Sequence, residues 1–187
     1  MQRIQYILDF WFHPKNHVRY GEKRVEWFEK NTEFDEIIRQ EFFDDFVLAE
    51  KGKYLQWSDH AEGCLALILL FDQFSRNMFR EDARAFSTDG KAREIARHMI
   101  RSGCFSRLQN FQKTFAILPF EHSEDLEDQI LSVKLCKEFC NKEEIRYAEQ
   151  HFDIIKKFNR FPHRNKILER KSTLAEIEFL TQPNSSF

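Results

Sequence analysis

Cys64-Leu65-Ala66-Leu67-Ile68-Leu69-Leu70-Phe71-Asp72-Gln73-Phe74-Ser75-Arg76-Asn77-Met78-Phe79-Arg80 is the stretch from which the fold of this chain is read. Its first eight residues are apolar without interruption, which leaves no polar side to show water, so the segment is expected in the core. With no Gly or Pro to break it, the same element then turns polar. At about 100° per residue, Asp72, Gln73, Arg76, Asn77 and Arg80 fall on one arc of a helix, the arc that Leu65, Ala66, Leu69 and Leu70 occupy one or two turns earlier. A buried face running into charged groups marks either an internal salt-bridge network or a site.

Outward from this core helix, helical spacing recurs. Ile4, Ile7, Leu8, Trp11 and Phe12 form a stripe that Pro14 stops. Val25, Trp27 and Phe28 make a short aromatic segment, and Thr32 with Asp35 opens a helix carrying Phe34, Ile38, Phe42 and Phe46. Ser58 or Asp59 is the expected cap of the core helix. Thr88 and Asp89 start the next, closed by Gly103; a shorter one runs from about Leu108 to Leu118 with Pro119 as its expected stop. Helices from Ser123 to Cys140, over 142–158 and from Thr173 complete the chain, the last two opened by Asn141 with Glu144 and Thr173 with Glu176. Period-two alternation and hairpin dipeptides flanked by strands are missing, so the expected fold is all-α, one helical domain over residues 1–187.

Composition agrees. Five glycines and four prolines in 187 residues, beside 32% charged and 42% hydrophobic residues, describe few tight turns and many amphipathic segments. Twenty-one phenylalanines supply core volume that needs no hydrogen-bond partner. A net charge of −2 gives no global field for nucleic acid or anionic membranes. The longest apolar run is far short of the ~20 residues that span a bilayer, and Met1-Gln2-Arg3-Ile4-Gln5 carries no leader pattern, so a cytoplasmic protein is expected. Cys64, Cys104, Cys136 and Cys140 show no CxxC spacing and read as reduced thiols.

Beside Asp72 to Arg80, two more segments concentrate unusual polar residues. Glu121, His122, Glu124, Asp125, Glu127 and Asp128 are mostly acidic; residues 156–171 are basic, with Arg160, Arg164, Arg170 and four lysines against Glu169. Opposite charge on neighbouring helices favours pairing within the protein, where each exposed pair is worth only about 0–1 kcal/mol. The functional reading is that Arg76, Arg80, Arg160 and Arg164 form a cationic pocket for a carboxylate or phosphate, with Asp72, Asn77, Glu121 and Asn165 beside them. His122, His151 and His163 add groups that titrate near neutral pH and are the candidate proton-transfer residues. His151 also lies on the Tyr147/Ile154/Phe158 stripe, as a packing histidine would. No HExxH, ExxH, GxSxG or glycine-rich phosphate loop is present, and no cofactor or metal is expected.

At these residues the chain resembles the bacterial DUF924 family. The resemblance runs through Phe10-Trp11-Phe12, Leu67 to Arg80, Ala85-Phe86-Ser87-Thr88-Asp89, Leu118-Pro119-Phe120-Glu121-His122-Ser123-Glu124-Asp125 and His151 to Thr173. It implies an all-helical, tetratricopeptide-repeat-like fold, a curved array of antiparallel helices, and brings no established activity. By that resemblance proline is expected where Ser75 stands, and glycine where Asn159 and Glu169 stand.

Two functions follow. One is a non-enzymatic recognition module whose Arg- and His-lined groove holds an anionic small molecule or acidic peptide. The other is a small-molecule enzyme in which His122, His151 or His163 transfers protons while arginines hold an anionic substrate. The enzyme reading requires the three charged segments to converge on one cleft. Nucleic-acid binding by residues 156–171 is weaker, because the acidic segment can neutralise them.

Overall fold

The computed structural model describes residues 1–27, 29–183 and 185, and every described segment of regular structure is helical. Among the described residues nine α-helical segments follow in order: α1 Gln2–Phe12, α2 Thr32–Glu50, α3 Ala61–Ile68, α4 Ser75–Met78, α5 Asp89–Arg101, α6 Asn110–Glu121, α7 Leu126–Phe139, α8 Lys142–Phe158 and α9 Leu174–Leu180. Short 3₁₀ turns occupy Val25–Trp27, Leu55–Asp59, Ala83–Phe86, Cys104–Arg107 and Pro162–Arg164. Phe28, grouped above with Val25 and Trp27, lies outside the described residues.

The apolar run is the centre of the molecule. Leu65, Ala66, Ile68, Leu69 and Leu70 are fully enclosed, and burying each such leucine or isoleucine contributes roughly 1.5–3 kcal/mol. Between α3 and α4 the rod winds as a π-helical turn, Leu69–Phe74. α1, α5 and α6 pack on α3, and α2 packs on the π turn and α4. Phenylalanines fill the joins: Phe74 stands 4.7 Å from Phe42 of α2 and 5.4 Å from Trp11 of α1, centroid to centroid. α6, α7 and α8 then pack in succession, and Ile154, Ile155 and Phe161 with Phe158 and Phe179 form a second, smaller cluster.

Helix ends follow local chemistry with four departures, the first at α2, which Asn31 caps by accepting from the Phe34 amide in place of a Thr32–Asp35 box. Asn141 with Glu144 and Thr173 with Glu176 form capping boxes, and Gly103 takes the left-handed conformation after α5. The core helix begins at Ala61, and its N-cap is His60 rather than Ser58 or Asp59, which are used in a 3₁₀ turn. That turn brings the Trp57 carbonyl so close that a Cβ on Gly63 would lie 2.0 Å from it, so only glycine fits there. α7 starts after Asp125, whose carboxylate accepts from the Glu127 and Asp128 amides. Pro119 does not end α6, which runs to Glu121: Phe115 and Phe120 are both buried, and their packing outweighs the hydrogen bond that proline removes.

Two of the positive-φ residues that are not glycine lie where the family resemblance places glycine. Asn159 has φ 57° and Glu169 φ 53°. Asn tolerates this conformation; Glu carries the full Cβ penalty.

Candidate functional site

The π turn sets the site. An extra residue in one turn shifts the side chains that follow and loosens the ladder, and such turns recur at functional sites. Here its carbonyls take side-chain donors: Phe71 O accepts from Ser75 Oγ and from Thr88 Oγ1 of the α5 N-cap, both at 2.7 Å, and Asp72 O accepts from Arg76 Nη1 at 2.7 Å. The Asp72 carboxylate is wholly enclosed. It meets His122 Nδ1 at 2.8 and 3.1 Å, Gln73 Nε2 at 2.6 Å and Arg76 Nη1 at 3.2 Å.

Arg76 bridges two carboxylates. Besides Asp72 it holds Asp89, at the start of α5, with two hydrogen bonds of 3.0 and 3.1 Å. A second guanidinium, Arg164, stands 3.5 Å from Asp89 Oδ2, the oxygen that also accepts from Arg76 Nη2. It lies between the rings of Phe86 at 4.6 Å and Phe161 at 4.5 Å, which hold a planar cation by stacking and cation–π attraction. Although only 6% exposed, Arg164 donates no side-chain hydrogen bond among the described residues, and its Nε is sealed without a partner. Asp89, His122, Glu124 and Arg164 line an open cleft of about 500 Å³ together with Phe86, Gly90 and Arg93, a size suited to a small ligand.

Burial and charge divide the protonation states. Burial would raise Asp72, but Arg76 and His122 outweigh it and hold its carboxyl well below the usual carboxylate range. His122 is pushed below its ordinary value by burial and by Arg76 and Arg164, against the pull of Asp72. The pair is therefore a carboxylate and a neutral imidazole at neutral pH. Since the carboxylate only accepts, Nδ1 carries the proton and Nε2 the lone pair. Burial and the neighbouring Arg76 bring Arg164 down to about 10, still charged at neutral pH.

Behind this layer sits a second one with no ionised pair. Burial, with the negative charge of Cys140, Asp72 and Glu144, raises Glu121 to about 8. Burial and His122 lower His151 to about 3, while burial and Arg164 lower His163 to about 4. His151 Nδ1 donates to Tyr147 O at 2.8 Å and lies 3.3 Å from Glu121 Oε1. The rings of His122 and His151 are 6.2 Å apart, and Phe161 stands 5.5 Å from both His151 and His163.

The three charged segments thus converge, but not every residue joins. Asp72, Arg76, Glu121, His122, His151, His163 and Arg164 come together. Asn77 and Arg80 do not: Asn77 donates to Asp35 of α2 at 2.7 Å, and Arg80 binds the same carboxylate. Their arc spans about 140° of helix surface, wide enough to face two neighbours. Arg160 also leaves the group, clamping Glu176 at 2.6 and 2.8 Å, and Asn165 serves the last turn by donating to Ser172 and accepting from Arg170. These contacts hold the C-terminal segment, because Arg160 precedes Pro162 and points to α9. The acidic and basic segments do pair internally, through Arg170 and Glu124 at 2.6 and 2.8 Å.

Asp89 and Phe86 were missed by sequence reading. Asp89 registers there as an acid in a first helical turn and, with Phe86, as part of the Ala85 to Asp89 stretch that carries the family resemblance; neither periodicity nor spacing marks them as partners of Arg76 and Arg164. Among the described residues, no group of three or more His, Cys, Asp or Glu is disposed to hold a metal ion, and no helix is long and apolar enough to cross a membrane.

Fold and site together define a class: an all-helical protein with a carboxylate, imidazole and guanidinium cluster in the wall of one cleft. Within it, this chain belongs to the family described as bacterial protein of unknown function (DUF924), which matches residues 7–184. It is similar to the solved structure of ATU0120, a protein of unknown function from Agrobacterium tumefaciens, with a TM-score of 0.87 and 35% sequence identity over 96% of this chain and 97% of that one. No curated protein matches the chain.

Proposed function

We propose that this protein is a small-molecule enzyme that holds an anionic substrate against Arg164 and uses His122 as a general base. The observation that carries the reading is the contact of His122 Nδ1 with the enclosed Asp72 carboxylate at 2.8 Å. It fixes the tautomer and the ring plane and stabilises the imidazolium that forms when Nε2 takes a proton. Arg76, itself anchored by Asp89, keeps Asp72 ionised. Ser123, the hydroxyl next in sequence, donates to Asp128 at 2.8 Å and is buried, so proton transfer from substrate or water fits better than a covalent intermediate.

The test is a thermal-shift screen of anionic metabolites, followed by turnover assays on those that bind. A substrate should be consumed by the wild type, and His122→Asn should cut kcat by about 10²–10⁴-fold while binding persists. A ligand bound at the cleft and never consumed would replace this reading with the recognition module.

A further inference from the structure

The first turn of α5 opens on the same cleft, and its amides are free. Thr88 occupies the N-cap, yet its hydroxyl is spent on Phe71 O, so the helix has no side-chain cap. Ala92 N–H reaches back to Thr88 O, whereas the Gly90 and Lys91 amides find no acceptor among the described residues. A Cβ built on Gly90 would meet nothing within 4 Å, and Gly90 lines the cleft. The helix end is therefore uncapped, unobstructed and open, with its positive dipole end toward the cavity.

Arg164 supplies the independent second observation. Its buried, hydrogen-bond-free guanidinium lies 3.5 Å from Asp89, the first residue of this helix. Ordinarily a buried donor set is satisfied, and an unsatisfied one calls for a partner. The charges around the cleft balance, so it is the open donors that favour an anion. Arg76 neutralises Asp72 and Asp89 in part, Arg164 completes the balance, and Arg170 offsets Glu124. Arg93, also in the wall, shares Asp128 with Arg97, and the one positive charge left over from those three groups is matched by Asp125 in the same wall.

We infer that the α5 N-terminus and Arg164 form an anion subsite for the phosphoryl group of a small phosphorylated metabolite. Amides along the helix axis and a guanidinium from the side offer donors in different directions, which suits a tetrahedral group with three terminal oxygens better than a planar carboxylate. The inference rests on the anionic-substrate reading of the cleft and narrows it: the phosphoryl group anchors, and the rest of the molecule extends toward His122.

Titration calorimetry with phenyl phosphate and with benzoate tests it, with inorganic phosphate as a third probe. Phenyl phosphate and phosphate should bind, and benzoate should bind at least about tenfold more weakly. Arg164→Lys, which keeps charge but loses the planar fork, should weaken phenyl phosphate by about tenfold or more. Gly90→Pro removes one amide donor at a first-turn position that tolerates proline and should weaken it similarly; if that variant fails to fold, Arg164→Lys carries the test. Arg19→Gln, an exposed charge paired to Glu22, should leave the affinity unchanged. No binding by either phosphate probe, tighter binding of benzoate, or phosphate binding indifferent to Arg164→Lys would each overturn the subsite. Turnover does not enter these readouts. Phosphate held at Arg164 without any reaction would sink only the general-base reading, and turnover without Arg164-dependent phosphate binding only this one.

Discussion

His122 and Asp72, fifty residues apart, meet through Nδ1 and a carboxylate with no exposure to solvent, at 2.8 Å. The acid comes from a π turn in the core rod and the imidazole from the C-cap of α6, so the pair locks the end of one helix to the irregular middle of another.

Asp72→Asn should cost about 3 kcal/mol, because it leaves Arg76 with a buried positive charge only partly compensated. Urea denaturation reads this directly. The Asp72 carboxyl titrates below its ordinary value, so its contribution is complete above that ordinary value and is lost as pH falls. The variant should therefore lose the acid-side slope. Its His122, without the carboxylate that favours imidazolium, should titrate lower still by NMR.

Glu121→Gln should act in the opposite direction. Burial lifts this carboxyl from 4.5 to about 8, so the stability that its protonated form supplies is complete below about pH 4.5 and lost as pH rises through 8. Gln cannot ionise. Between pH 8 and 9 the variant should be more stable than wild type by an amount on the order of 4 kcal/mol, and near pH 4 the two should match. Denaturation midpoints that run parallel from pH 5 to 9 would show that Glu121 is ionised in the fold.

Glu169→Gly removes a Cβ from an exposed residue at φ 53°. Relief of the left-handed penalty, about 1–2 kcal/mol, exceeds the added freedom of the unfolded glycine, so a net gain of roughly 0.5 kcal/mol is expected. A small rise in melting temperature checks it.

Gly63→Ala should destabilise by roughly 2–3 kcal/mol, since the methyl meets the Trp57 carbonyl, which is backbone and cannot turn away. Gly90→Ala is the matched comparison. With nothing within 4 Å of the new Cβ, it should raise stability by about 0.5 kcal/mol.

Part of the site was legible along the chain. Polar residues that interrupt an apolar run have few ways to be satisfied, and the Asp72–Arg76 spacing of four puts both on one helix face, so their joint role follows from periodicity. That His122 and Arg164 answer them follows from charge and residue type, with the family resemblance behind it. Asp89 was not legible: an acid in a first helical turn is commonplace, and its use as the bridge between Arg76 and Arg164 depends on how α5 is set against the core rod.

Local sequence chemistry determined the helices, their caps at Asn141 and Thr173, and the burial of Cys64 to Phe71, while the left-handed need at residues 159 and 169 was implied by the family resemblance. These depend on backbone propensity and on the free energy of removing apolar surface from water, which act over a few neighbouring residues. Only the tertiary structure decided that Asp72 and Arg76 turn to His122 and Asp89 while Asn77 and Arg80 turn to Asp35, and that Arg164 is left with donors to spare. A helical wheel assigns directions; which partner stands in each direction is set by the π turn and by the packing of both α2 and α5 on the same rod.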